Sequence, residues 1–134
     1  MDTPRAFPDI IAQVANKSNT VKRMFYSRWE KYVMDDFDHS QSQQVDWVCG
    51  HMFIMRSDLW DRIGGLDTDY FMYMTDAQMS KDTLALGYKT YYNASIAVDI
   101  IREASSKAIR PIDIFKKVLV RQHVVDALLY YWKN

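Results

Sequence analysis

Val45-Asp46-Trp47-Val48-Cys49-Gly50-His51-Met52-Phe53-Ile54-Met55-Arg56 opens the stretch on which the fold turns. It continues through Ser57-Asp58-Leu59-Trp60-Asp61-Arg62-Ile63-Gly64-Gly65-Leu66-Asp67 to Tyr70-Phe71-Met72-Tyr73-Met74-Thr75-Asp76 and on to Gly87. From Val45 to Met55, Val45, Trp47, Cys49, His51, Phe53 and Met55 fall on one side of an extended chain, and Val48, Met52 and Ile54 on the other. Apolar groups on both sides predict an interior strand. Gly50 in its middle marks a bulge or a close approach by a ligand or backbone. His51 reads as a hydrogen-bonded core histidine or as a general base or ligand. Ser57 is placed to cap a short helix with Leu59, Trp60 and Ile63 on its apolar side, ended by a left-handed turn at Gly64-Gly65. Thr75-x-x-Gln78 reads as a capping box for a helix that turns Met79, Thr83 and Leu86 inward and stops at Gly87. Asp76 falls in its first turn, where a carboxylate is stabilised by the helix dipole with no catalytic role. The alternative is a catalytic base.

Upstream, Pro8 suits a first helical turn, and Ile10, Ile11 and Val14 give Phe7 to Asn16 an apolar stripe. Ser18-Asn19-Thr20 interrupts it. Met24, Phe25, Arg28, Trp29, Tyr32 and Val33 then predict one helix from Val21 to Met34. Lys22, Arg23 and Arg28 interleave there with Phe25, Tyr26 and Trp29, a mixture that can grip nucleic acid or simply form a solvated basic face. Asp36-x-Asp38-His39 offers oxygen and nitrogen donors for a divalent ion, or an acidic surface loop. Downstream, Tyr88 to Tyr92 is β-rich, and Ile96 to Ile101 reads as a strand. A long helix is expected from Pro111 to about Trp132, with Phe115, Leu119, Val125, Leu128, Leu129 and Trp132 on its apolar side and Lys116, Lys117 and Arg121 opposite. A basic amphipathic helix of this kind packs on its domain or lies on a membrane surface.

The chain has 134 residues, which suits a single domain over 1–134 with one core. Its 17 basic and 17 acidic side chains cancel, so no overall field favours nucleic acid or an anionic membrane. Aromatic residues make up 14% and methionine numbers 8, more than a minimal core needs, so part of this surface is expected to pack on something else. One cysteine excludes a disulfide within the chain and fits a reducing compartment. Met1-Asp2-Thr3-Pro4 lacks the features of a signal peptide, and no apolar run reaches the roughly 18 to 20 residues of a membrane span, so a cytoplasmic location is expected. Phosphate-loop, dinucleotide, zinc and nucleophile-elbow motifs are absent. The residues alone therefore specify an α/β domain with one chemically interesting carboxylate.

Taken together, several ordered motifs resemble the C-terminal half of family 2 glycosyltransferases, of the bacterial rhamnosyltransferase type. They are Val45-Asp46-Trp47-Val48-Cys49-Gly50, Met55-Arg56, Ile63-Gly64-Gly65-Leu66-Asp67, Tyr70-Phe71-Met72-Tyr73, Asp76, Gly87-Tyr88 and Tyr91-Tyr92. Arg5-x-Phe7-Pro8, Asp38-His39, Ser105-Ser106 and Tyr131-Trp132-Lys133 fit as well. The resemblance implies the acceptor side of a GT-A-like fold, with a small mixed sheet and about five helices. It implies inverting sugar transfer from a nucleotide-sugar, dTDP-rhamnose for instance, to a polysaccharide or lipid-linked acceptor. Asp76 would be the base, and Asp46, Trp47, Gly50, Tyr70, Phe71 and Tyr73 would shape the acceptor pocket. In the family the donor and its metal-binding Asp-x-Asp belong to an N-terminal half that this chain lacks. No cofactor is therefore expected here, and Mg²⁺ or Mn²⁺ only in a complete enzyme. This chain also departs from the family pattern. Thr75 replaces the Glu of the usual Glu-Asp pair, Gln78 replaces an Asp, and Ile100 stands where a His is usual. A half-fold implies an uncovered edge, hence a homodimer, and a lipid-linked acceptor implies contact with the inner face of a membrane. The alternative is a non-catalytic remnant serving as an interaction or dimerisation module.

Overall fold

Trp47 is the residue around which the observed fold closes. In the computed structural model, which describes residues 4–97 and 118–134, it is buried and its indole N–H donates to the Ala6 carbonyl at 2.8 Å. That bond sets a two-residue strand β1 (Pro4–Arg5) antiparallel to β3 (Trp47–Val48), with Arg5 opposite Trp47. A second antiparallel pair joins β2 (Gln43–Val45) to β4 (Thr90–Tyr92), with Gln44 opposite Tyr91. Around these lie α1 (Ile10–Ala15), α2 (Asn19–Met24), α3 (Tyr26–Val33), α4 (Ser57–Ile63), α5 (Thr75–Ala85) and α6 (Val118–Lys133). The described residues thus form a mixed α/β structure with six helices and two small antiparallel sheets, in place of one small mixed sheet.

The expected strand from Val45 to Met55 is broken at both ends by polar bonds. Asp46 separates β2 from β3, and its carboxylate accepts the Phe7 N–H at 2.9 Å, so the chain changes partner there. Beyond Val48, the Gly50 N–H goes to the Asp76 side chain at 2.8 Å and the His51 N–H folds back to the Cys49 carbonyl at 2.8 Å. With those donors committed, no ladder can continue. Met52, Phe53 and Ile54 are exposed, as is His51, which is therefore not a core histidine.

Asp9 caps α1 by accepting from the N–H groups of Ile11 and Ala12, and its second oxygen pairs with Arg28 at 2.6 Å, which ties α1 to α3. Ala12 and Ala15 are the residues α1 buries, while Ile10 and Val14 of the expected stripe remain open. The single helix expected from Val21 to Met34 is divided at Phe25, whose φ of −125° and ψ of 43° are not helical. This bend lets α3 turn Tyr32 and Val33 into the core. Met34 ends α3 with φ 54°.

Around α4 and α5 the expected caps differ in detail. Arg56, not Ser57, is the residue flanking α4, and its guanidinium grips Asp58 in the first turn at 2.7 and 2.9 Å. Gly64 and Gly65 close the helix in the left-handed region, with φ 78° and 77°. A Cβ on Gly65 would stand 3.2 Å from the Trp60 ring, whereas one on Gly64 would meet nothing. Gly65→Ala is accordingly expected to cost about 2 kcal/mol and Gly64→Ala about 1 kcal/mol, measured by urea denaturation. Equal costs would show that the Trp60 contact is unimportant. No capping box forms ahead of α5. Met74 flanks it with φ 67°, and the Gln78 side chain is buried, accepting from the Tyr70 hydroxyl at 3.0 Å and donating to Asp82 at 3.0 Å. Met79 and Thr83 face inward as expected, but Leu86 is exposed.

Helix α6 is turned part of the way from the face expected: Leu129 packs against the core and Arg121 is exposed, as expected, but the described remainder of the stripe is not buried. Asp126 and Tyr130 are fully buried, while Val125, Leu128 and Trp132 stand open, Trp132 at 83% exposure. The expected start at Pro111, together with Phe115, Lys116 and Lys117, lies outside the described residues, as do Ile100, Ser105-Ser106 and most of the expected strand Ile96 to Ile101. Among the described residues, no helix is long and apolar enough to cross a membrane. The core gathers Ala12, Tyr32, Val33, Trp47, Tyr70, Met74, Ala77 and Tyr130 from α1, α3, β3, the aromatic loop, α5 and α6.

Candidate functional site

Asp76 lies at the point where the β3 extension meets the start of α5. Its Oδ2 accepts the Gly50 N–H at 2.8 Å and its Oδ1 the Ala77 N–H at 2.9 Å. Gly50 has no side chain to hold the two segments apart: a Cβ there would sit 3.4 Å from Oδ2. Burial pushes the Asp76 carboxyl above its ordinary value, and the N–H groups of Gly50 and Ala77 and the nearby His51 only partly oppose this. A carboxylate accepts at about four lone-pair positions. With two of them occupied, Asp76 retains capacity to take a proton from a neighbouring hydroxyl.

What places Asp76 is a second carboxylate that the sequence reading did not single out. Asp126, fully buried on α6, accepts three successive backbone N–H groups: Phe71 at 3.2 Å, Met72 at 3.1 Å and Tyr73 at 2.8 Å. The Gln122 amide donates a fourth bond at 3.0 Å. Burial alone would raise this carboxyl, but the Tyr73 and Met72 N–H groups, the Gln122 amide and the Phe71 N–H together hold it below the ordinary value. The pinned loop runs directly through Met74 into Asp76. Its one sequence signal is an acid set in the apolar run Val124-Val125-Asp126-Ala127-Leu128-Leu129.

The other candidate residues divide among different surroundings. Asp46 holds the Phe7 backbone, and Trp47 and Tyr70 are buried in the core. Tyr73 stacks on His123 with ring centres 4.1 Å apart, and Phe71 points outward at 64% exposure. Gly50 is the candidate in direct contact with Asp76. Next to this pair, His51 and Ser80 line a cavity of about 610 Å³ whose walls include Phe53, Tyr88, Tyr91 and Tyr92. Those aromatic rings had been read only as strand residues or motif matches. Asp76 does not itself line the cavity, but the Ser80 hydroxyl one helical turn on donates to the Asp76 carbonyl at 3.0 Å.

Among the described residues, no group of three His, Cys, Asp or Glu side chains converges to hold a metal ion. In the Asp36-x-Asp38-His39 stretch, Asp38 is engaged by the N–H and hydroxyl of Ser40 at 2.9 and 2.6 Å, and His39 packs edge-on to Phe37 and Tyr92. Asp38 and His39 are thus engaged within the protein. The basic aromatic segment is also occupied: Lys22 lies 3.1 Å above the Trp29 ring, the Trp29 indole donates to Asn16, and Arg28 pairs with Asp9. Of its rings, Trp29 is covered by Lys22, while Phe25 and Tyr26 are exposed.

The two carboxylates act on stability with opposite signs. Asp126, depressed in the folded state, contributes stability above the ordinary 3.8 that is lost as pH falls below it. Asp76, raised, costs stability when it ionises, so folding weakens as pH rises from 3.8 through its folded-state value. Difference curves are the measurement. Subtracting the Asp76→Asn stability profile from wild type is expected to leave a fall with rising pH above 3.8, and subtracting that of Asp126→Asn a loss with falling pH below 3.8. A flat difference in either case would remove that assignment.

Comparison with protein-family models, with curated proteins and with solved structures finds no match to this chain.

Proposed function

We propose that this chain is the acceptor-binding and base-supplying part of an inverting glycosyltransferase of polysaccharide or cell-envelope assembly, working at the cytoplasmic face of a membrane. The observation that carries the reading is Asp76: a carboxyl raised by burial, fixed at a helix start beside a cavity walled by aromatic rings. A base of raised pKa is suited to draw the proton from an acceptor hydroxyl as that oxygen attacks an anomeric carbon. The sugar faces would lie against Tyr88, Tyr91 or Phe53, and His51 and Ser80 supply polar groups at the wall. Tyr32, whose hydroxyl is pushed up to about 12 by burial, stays protonated and does not compete for this role. The nucleotide-sugar, dTDP-rhamnose in the resembling family, would be held by a donor half together with Mg²⁺ or Mn²⁺.

Both oxygens of Asp76 already accept backbone N–H groups, and that observation favours a second reading, in which the residue is a structural clasp in a non-catalytic, self-associating module. Titrating isotope-labelled protein with rhamnose-containing oligosaccharides separates the two. Saturable shifts of the Gly50, His51, Ser80 and Tyr91 amides are expected, with no saturable response to dTDP-rhamnose plus Mn²⁺ alone. No response to any acceptor, with a dimer in sedimentation, would replace the first reading by the second.

A further inference from the structure

Val118, Arg121, Val125, Leu128 and Trp132 follow one another along α6 at spacings of three, four, three and four, the seven-residue period of a helix that packs on a second helix. They form a seam on the side of α6 away from Asp126 and Tyr130, which face the core. The seam is open: Val125 is 54% exposed, Leu128 64% and Trp132 83%, and Arg121 is exposed as well. Among the described residues, no side-chain hydrogen bond, ion pair or ring contact engages Arg121 or Trp132. Water therefore meets a large indole and a planar cation on one seam, two of the residue types that most often anchor protein interfaces. A narrow seam interrupted by a cation suits a partner helix better than a lipid surface, which calls for a broad apolar face. Its flanks are Gln122 and Leu129 on one side and Val124 and Tyr131 on the other, all uncharged, so nothing there repels an identical helix.

We propose that α6 pairs antiparallel with the α6 of a second copy of this chain, about a two-fold axis between Val125 and Leu128. Positions 121 and 132 lie equally far on either side of that midpoint. The axis therefore sets Val125 of each copy against Leu128 of the other, and Arg121 of each against Trp132 of the other, a guanidinium on an indole face. A parallel pair would instead oppose Arg121 to Arg121. The seam is thus complementary to itself in one direction only, and this selects a second copy over an unlike helix. One helix pair of this length makes a small interface, about 1,000 Å² in total, so the dimer is expected at micromolar concentrations. No seam residue lines the cavity beside Asp76, so the dimer is independent of whether Asp76 acts as a base.

Sedimentation equilibrium of the whole chain, from low to high micromolar concentration, tests the pairing. A monomer–dimer equilibrium is expected. Leu128→Asp, at an exposed position where folding is not at stake, should weaken it at least about hundredfold. Arg121→Glu should weaken it about tenfold. Urea denaturation of the monomeric variants should find both as stable as wild type. Mixing Arg121→Glu with wild type distinguishes the two directions: an antiparallel pair keeps one guanidinium on an indole, so the mixed dimer should be intermediate in strength. A mixed dimer tighter than that of wild type would show parallel helices, with Arg121 facing the introduced carboxylate, and would overturn the proposal. So would a monomer at every concentration, because another part of the chain or an unlike partner would then be the occupant. A dimer that Leu128→Asp leaves intact would overturn it too, by placing the contact on another face.

Discussion

Asp126→Ala is expected to lower the stability of the protein by about 3 kcal/mol, the largest loss of any single polar substitution among the described residues. Truncation removes the acceptor for three consecutive N–H groups at once, and each buried donor left unpaired costs about 1 to 3 kcal/mol. Water can reach Phe71 and Met72, which are exposed, so the full sum is not expected. Tyr73 is half-buried, and its 2.8 Å bond is the shortest of the three. The loop also holds Met74 at φ 67°, a left-handed conformation that costs a non-glycine residue about 1 to 2 kcal/mol. Without Asp126, α6 holds this loop only through packing such as the His123 stack on Tyr73 and the contact of Tyr130 with the core, so the strain is freer to relax and the start of α5 to move with it. Asp126→Asn keeps the volume but presents an NH₂ group to N–H donors, and is expected to fall between wild type and alanine. Chemical denaturation gives the free energies, and amide exchange at residues 71–74 reports the loop. A loss under about 1 kcal/mol with the loop amides unchanged would mean that the core alone holds this segment.

The same carboxylate marks the limit of what the sequence discloses. Features determined by adjacent residues are legible: the left-handed stop at Gly64-Gly65, the helix beginning around Thr75, and the extended run before Asn93. The Asp9 cap was equally available, an acid directly ahead of the apolar Ile10-Ile11, but Pro8 drew the predicted start toward Phe7. Features determined by distant polar partners are not legible. Asp46 and Gly50 end a strand that apolar alternation extends to Met55, because their bonds reach residues 39 and 26 positions away. On α6, hydrophobic spacing favours the Val125, Leu128, Leu129 and Trp132 face, yet Leu129 packs on the core while the other three stand open, and Asp126 meets the loop. Four bonds to one carboxylate outweigh the burial of a few aliphatic groups there. The candidate site has the same character. The position of Asp76 in the first turn of a helix is a local fact, whereas its clasp to Gly50 and the aromatic wall beside it depend on the tertiary fold.

On the proposed sugar-transfer reading, Asp76→Asn is expected to lower transfer about 10²- to 10⁴-fold once a donor half is supplied, with stability at neutral pH changed by less than about 1 kcal/mol. The two parts of the expectation have separate origins. Asparagine has nearly the same shape, and its carbonyl oxygen can still accept from Gly50 or Ala77, though not from both as the carboxylate does. Losing one such bond costs about 1 kcal/mol, and removing a charge that burial disfavours offsets part of that. The amide cannot take a proton from an acceptor hydroxyl, so the chemical step loses its base. Acceptor affinity is expected to remain within about threefold of wild type, since the aromatic walls of the cavity are untouched. A glutamate at the same position tests placement: its longer side chain carries the carboxyl away from the Gly50 N–H, and partial activity with an altered pH profile is expected. If Asp76→Asn instead keeps full transfer while unfolding more easily, the carboxylate is a clasp between Gly50 and α5, and the base must be sought among the residues that line the neighbouring cavity, His51 included.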